Sequence, residues 1–492
     1  MGANLIKNIY SNNFKKVLIR PNYILKQMKI IFNLKILLQR FLLTIFSAIV
    51  LFVPVSSAQE SIDLIALYQE ALRKDSLLSS AHFQNKAAQE LVKQGKSLFL
   101  PSINMNANFD KQNKERKFLT SSLPSNDLLS GKKANYKTYN YGVTIKQPLF
   151  NYSAYAEYKK ILTQISLSDK QLIKTQQDLI FRISKAYFET LLATNQVDLF
   201  QYQRASIQEQ LLKAEAQFEA GLISVTDINE AKTKKALIEA QQIGAIQKLK
   251  IKKREIQIIT GTLPGKLTPL NPVITFTEID NLADDWILIA QENNLELQIK
   301  KDEIIIAERE IDSRRSSHYP TIDAVASRSR NWDKGGYPYG ATKNEGIRSY
   351  SDSIGVEISI PIFSGGMTSS KVREAILLKS KLEQDVEYLR RSIELKVRDY
   401  YLSLQTNFSE ISAYQQAMEA AALQLESTQL GFQEGLRNSV QVLDSQQILF
   451  NAKLNVLESR YNYIMNFINL KLSVGLLSFS DLDEVNQYLM VN

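Results

Sequence analysis

The chain has 492 residues, a formal charge of +9, no cysteine and two histidines, His82 and His318. Disulfides, thiolate chemistry and a lipidated N-terminal cysteine are therefore excluded. No nucleophile–base pair or metal-ligand cluster stands out, so the residues point to no enzyme, no cofactor and no metal. Residues 1–58 carry eight Lys/Arg and no acid, leaving 52 basic against 51 acidic residues in the rest. The basicity belongs to a leader, and no nucleic-acid partner is expected.

That leader has the secretory pattern. Lys29, Lys35 and Arg40 precede an apolar run from Phe41 to Val53, and Ser56-Ser57-Ala58 supplies small residues for cleavage before Gln59. The run is shorter than the ~20 residues of a spanning helix. Residues 1–58 are thus expected to be an N-terminal extension and signal peptide, with Met28 as an alternative start.

A helical pattern covers Ile62 to Ser97 and stops before Pro101. Ile103, Met105, Ala107 and Phe109 then alternate with Asn104, Asn106, Asn108 and Asp110, the period of a strand with one apolar face. A basic loop over 110–137 holds Lys111, Lys114, Arg116, Lys117, Lys132, Lys133 and Lys137. It is either a plain solvated loop or a surface for lipopolysaccharide phosphates. Tyr139, Tyr141, Val143 and Ile145 mark the return strand, ending at Pro148. The long helix that follows, Ser153 to Glu219, carries Leu172, Leu179, Ala186, Ala193, Phe200, Ile207 and Ala214 at seven-residue spacing, as in coiled coils. Helix resumes from Val225 to Thr260.

The second half repeats the order. Helix is expected over Asp284 to Ser317, strands around Ile322–Ala326 and Ile354–Ile360, a long helix from Met367 to Glu434, and a last helix to Val474. The two turns are nearly the same stretch. FEAGLISVTDINEAK runs from Phe218 to Lys232, and FQEGLRNSVQVLDSQ runs from Phe432 to Gln446, with Gly221 and Gly435 214 residues apart. Glycine is costly inside a helix and natural just past its end, so each marks the tip of a helical hairpin. The expected division is 1–58 leader, 59–261 first repeat, 262–283 equatorial linker, 284–475 second repeat and 476–492 a polar, mobile tail.

A helix near 67 residues extends about 100 Å. Four strands with an apolar face cannot close a barrel alone, since outer-membrane barrels need about eight or more. A trimer supplies twelve. The fold class expected is mainly α with β: a long coiled-coil-like α-helical barrel plus four strands per chain, in two internal structural repeats.

The F-x-x-G-L turns, LPSI/YPTI at 100–103 and 319–322, the QPLF/IPIF strand ends and VLD at 442–444 resemble the TolC family of bacterial outer-membrane efflux and type I secretion channels. The resemblance covers residues 59–480. It implies a homotrimer with a 12-stranded transmembrane barrel in outer-membrane lipid and an α-helical barrel extending into the periplasm. It also implies a periplasmic adaptor (membrane fusion) protein and an inner-membrane ABC or proton-driven transporter. Aligned on the two glycines, the family's gate pair falls on Asp227 and Arg437. The tip tyrosine is replaced by Phe432, which cannot donate a hydroxyl hydrogen bond. Of two acidic constriction rings, one falls on Asp444 and the other on Gln441. Asp227 has a plainer reading as a helix N-terminal acid, and Asp444 as a solvated acid near a turn. The rival function from another class is a non-conducting coiled-coil tether between envelope layers.

Overall fold

The computed structural model describes residues 61–115, 133–221, 223–279, 282–335 and 346–490. The expected leader lies outside these residues, as do Leu222 of the first turn and Arg116, Lys117 and Lys132 of the basic loop.

The first helical column breaks where unbroken helix was expected. Helix α1 (Leu64–Lys74) ends at Asp75, and α2 (Ser76–Ser97) starts from it. Asp75 is extended, and its Oδ1 accepts the Leu78 N–H at 2.7 Å, so the residue caps the second piece. Arg182 closes on both its oxygens at 2.9 and 3.1 Å. The same break recurs at Asn294, between α5 (Ala283–Asn293) and α6 (Leu295–Ser316). In both places a short polar side chain competes with the helix for backbone donors.

Strands β1 (Ser102–Glu115), β2 (Lys133–Phe150), β3 (Thr321–Gly335) and β4 (Ile347–Ser359) form one antiparallel sheet in the order β1-β2-β3-β4. The first hairpin is longer than its apolar alternation foretold. Lys111, Lys114, Lys133 and Lys137 stand on strands, not in a loop. The register shifts between Pro148 and Phe150, where proline has no N–H for the ladder.

Two unbroken columns, α3 (Tyr152–Glu219) and α7 (Met367–Gln433), run 68 and 67 residues. Helix α3 packs against α2 and α6 in the half beside the sheet. In the other half it packs against α4 (Val225–Thr260) and α8 (Ser439–Ser473), and α7 closes the row against α6 and α8. The heptad seam lies inside: Leu179, Ala186, Ala193, Ile207 and Ala214 are all buried. Among the described residues no helix is long and apolar enough to cross a membrane.

The main core sits at mid-height. Tyr187, Phe188, Ile256, Ile464 and Ile468 belong to a continuous buried cluster there. The Tyr187 hydroxyl donates to the Thr268 carbonyl at 2.9 Å, and burial pushes its pKa well up. The expected equatorial linker thus lies stitched onto the helices. The expected mobile tail is instead helix α9 (Phe479–Asn486), with Leu482 and Val485 buried in the same core. The Asn486 Oδ1 accepts the Leu64 N–H at 3.1 Å. Acidic residues on its surface concealed an apolar inner face.

Candidate gate and constriction at the helical tip

Both turns are built alike. Helix α3 ends at Glu219, and Gly221 takes φ +72°; helix α7 ends at Gln433, and Gly435 takes φ +74°. A Cβ at either glycine would meet nothing within 4 Å, so the left-handed backbone, not crowding, selects glycine. At the second turn the N–H groups of Leu436 and Arg437 both donate to the Gly431 carbonyl, at 2.8 and 3.1 Å, satisfying an end the helix leaves open.

Six residues past each glycine, the next helix is locked by the same device. The Asp227 carboxylate accepts the Ser224 N–H at 3.1 Å, while the Ser224 hydroxyl accepts the Asp227 N–H at 3.4 Å. At the second turn the Gln441 Oε1 accepts the Asn438 N–H at 3.2 Å, and the Asn438 Oδ1 accepts the Gln441 N–H at 2.9 Å. These are reciprocal capping boxes. Within the chain, then, Asp227 and Gln441 serve their own helix starts.

Arg437 lies elsewhere on the tip. A Cβ on Gly431 would come within 2.9 Å of the Arg437 Cγ, so a helical glycine makes room for the arginine stem. Among the described residues no ion pair within the chain joins Arg437 to Asp227; Lys232 reaches Glu215 at 3.7 Å and Arg204 reaches Glu239 at 3.3 Å. Phe432 is half-buried, and its carbonyl accepts the Gly435 N–H at 3.1 Å.

Asp444 is engaged as well. Lys234, seven residues past Asp227 and so on the same helix face, reaches the Asp444 Oδ1 at 2.5 Å and Glu230 at 3.3 Å. The sequence reading missed this lysine, although its heptad step from Asp227 was there to read.

A second feature was also missed. Gln196, Gln203, Gln210 and Gln217 stand seven apart on α3, and the first three are buried. Gln203 donates to Gln447 at 2.7 Å, and Gln196 donates to Glu458 at 3.1 Å. Yet the amide oxygens of Gln203, Gln210, Gln217 and Gln446 are buried with no donor among the described residues. The apolar cluster near the tip is small: Ile207, Leu211, Ile228, Ala231, Ile238 and Leu443. A polar seam with unmet acceptors and a thin core is costly to hold shut.

The chain matches the Outer membrane efflux protein family over residues 67–262 and 286–476. It is 29% identical to the outer membrane protein TolC of Vibrio cholerae over 443 residues, covering 89% of this chain and 96% of that protein. It is 26% identical to the proteases secretion protein PrtF of Dickeya chrysanthemi, covering 86% and 90%. The fold matches the crystal structure of the Campylobacter jejuni CmeC outer membrane channel with a TM-score of 0.69 at 14% identity, covering 88% of this chain and 91% of that one. The chain belongs to the outer membrane efflux protein family and is a TolC-family outer-membrane channel protein, not an enzyme.

Proposed function

We propose that three copies of this chain form a channel-tunnel, the passive exit duct of a tripartite type I secretion or efflux system. One observation carries the reading. The sheet has four strands, two unpaired edges (β1 and β4) and an apolar face on which Ile354 is 90% exposed. Three such sheets give twelve strands, enough to close a barrel and remove every edge. The helices support the same number. Tyr388, Leu395, Leu402, Leu423 and Leu430 form an exposed apolar stripe on α7, at multiples of seven residues. Leu237, Ile251 and Ile258 form another on α4. Each stripe asks for a neighbouring copy, and twelve columns at ~8–10 Å spacing make a tube.

In this reading the two halves descend from one duplicated unit, the sheet lies in the outer membrane and the columns extend through the periplasm. A periplasmic adaptor protein docks on the tube, and an inner-membrane ABC or proton-driven transporter supplies energy and selects cargo. The tip is the gate. Arg437 ties one hairpin to a carboxylate on the next, Asp227 by the family pattern, and such a pair is directional and breakable. With phenylalanine at 432, closure has one hydroxyl link fewer than the family pattern. Asp444 from each copy supplies the single constriction ring, tempered by Lys234 beside it.

Single-channel recording from purified protein in planar bilayers tests the duct. Stable, cation-preferring current supports it. Well-folded trimers that never conduct would leave the envelope tether.

A further inference from the structure

The apolar face of the sheet changes character along its length. Directly paired residues share a face, so the strand register reads it row by row. Nearest the helices stand Ile322 with Ile358, then Gln147, Ala324 and Val356, then Ile103, Ile145, Ala326 and Ile354. The next row holds Met105, Val143, Arg328 and Asp352, and the next Ala107, Tyr141, Arg330 and Tyr350. Phe109, Tyr139, Trp332 and Arg348 follow, and beyond them Lys111, Lys137 and Lys334 share a row.

From Ile358 to Arg348 is about 34 Å along the strand at ~3.4 Å per residue. At a tilt of ~45° that is about 25 Å across the membrane, the height of an outer-membrane barrel's apolar band. The aromatic row thus falls at one bilayer interface, where tyrosine and tryptophan concentrate, and the lysine row falls just beyond it. Aromatic rings hold the cations outward. Arg348 lies 4.9 Å from the Trp332 ring, Lys334 5.5 Å from the same ring, and Arg330 5.3 Å from the Tyr350 ring. Asp352 is the one acid in these rows among the described residues, and Arg328 occupies it at 3.0 Å. Glu115 stands further out, opposite Lys133. Lys111, Lys137, Arg330, Lys334 and Arg348 are exposed on this face.

Five outward cations at headgroup depth call for anionic lipid. A zwitterionic phospholipid brings its own ammonium group for its single phosphate. A glycolipid with two phosphates and no amine leaves both for protein cations. We infer that this rim is a binding site for bis-phosphorylated lipid headgroups of the outer leaflet. The inference rests on the proposed barrel, with its hairpin loops outermost. It moves the lipid contact from the expected loop onto positions on all four strands.

The test uses the full chain in phosphatidylcholine nanodiscs titrated with bis-phosphorylated lipid A, read by native mass spectrometry. R330Q/K334Q/R348Q should bind roughly 100-fold more weakly, about fivefold for each cation near the surface. R348Q alone serves if the triple variant fails to insert, with about a fivefold loss. Lys114→Gln, on the opposite face, should leave binding unchanged. Dephosphorylated lipid A should bind no better than phosphatidylcholine, and millimolar inorganic phosphate should not replace the lipid. Unchanged affinity in the variants, equal binding of dephosphorylated lipid, or full displacement by phosphate would overturn the site. Failure of the unmodified protein to conduct would instead count against the barrel.

Discussion

The middle and the tip of this molecule are made from the same four columns, and they are held together differently. At mid-height large apolar side chains meet from α1, α3, α4, α8 and α9, with Tyr187 and Tyr463 hydroxyls bonded to the linker carbonyls of Thr268 and Thr277. Towards the tip the buried apolar cluster shrinks to six residues, and glutamines share the inward heptad positions of α3 with Ile207 and Ala214. Burial of apolar area stabilises at about 25 cal/mol per Å², whereas a buried amide with an unmet oxygen works the other way. The same coiled-coil geometry thus yields a firm middle and a loosely held end. Segments that move in function come from such low-stability regions.

The largest effect should come from emptying the middle. Phe188, 1% exposed, replaced by alanine should lose about 3–5 kcal/mol, measured by urea unfolding. A loss below about 1 kcal/mol would mean that the mid-height core is no firmer than the tip.

Next comes Asp75, 3% exposed and gripped by Arg182. Burial alone would raise its pKa, but the Arg182 hydrogen bonds and the Leu78 N–H outweigh that and hold it below the ordinary 3.8. A depressed carboxyl stabilises the fold above its unfolded value, and the contribution fades as pH falls through about 4 and below. Asp75→Ala should cost about 2 kcal/mol at pH 7, less than a fully buried pair because Arg182 keeps some water. The gap to the unmodified protein should narrow in acid. A gap that widens on acidification would contradict the sign.

At the tip the direction reverses. Gln210→Leu removes a buried amide with an unmet oxygen and should stabilise by about 1 kcal/mol. It should also lengthen closed times in single-channel records. Destabilisation would show that the glutamine seam is satisfied by a neighbouring copy.

Smallest in stability, though not in function, are the exposed tip residues. Arg437→Ser should change unfolding by less than about 0.5 kcal/mol while raising resting conductance several-fold. Unchanged conductance in an intact trimer would make Arg437 an ordinary turn residue. Asp444→Asn should remove most divalent block and leave Lys234 without that partner, whereas Gln441→Asp should tighten block. If only the first change acts, the side chain at 441 stays folded back on Asn438 and does not face the lumen.

The sequence showed what rests on long periods. Alternation located four strands, and the Leu179 heptad column turned out to be the buried seam. It failed where one polar side chain decides. Asp75 and Asn294 break helices by capping them, and nothing in hydrophobic spacing signals that. The acidic residues around α9 hid two core positions, Leu482 and Val485. Strand ends extended past the apolar alternation because ladder hydrogen bonds carry Lys111 and Lys137 regardless of polarity. At the candidate tip residues the plainer reading of Asp227 as a helix N-terminal acid describes its bonds within the chain, whereas the partner of Asp444 was not foreseen. Asp227 and Gln441 close capping boxes, and Lys234 holds Asp444 from a helix more than two hundred positions away in sequence.

The contrast between middle and tip is tested most directly by amide hydrogen exchange on the full chain in lipid nanodiscs. Amides of 203–219 and 439–450 should exchange well before those of 179–191 and 461–470, and Arg437→Ser should hasten only the first set. Equal protection of both sets, or acceleration of the mid-height amides by that substitution, would contradict a tip held more loosely than the middle.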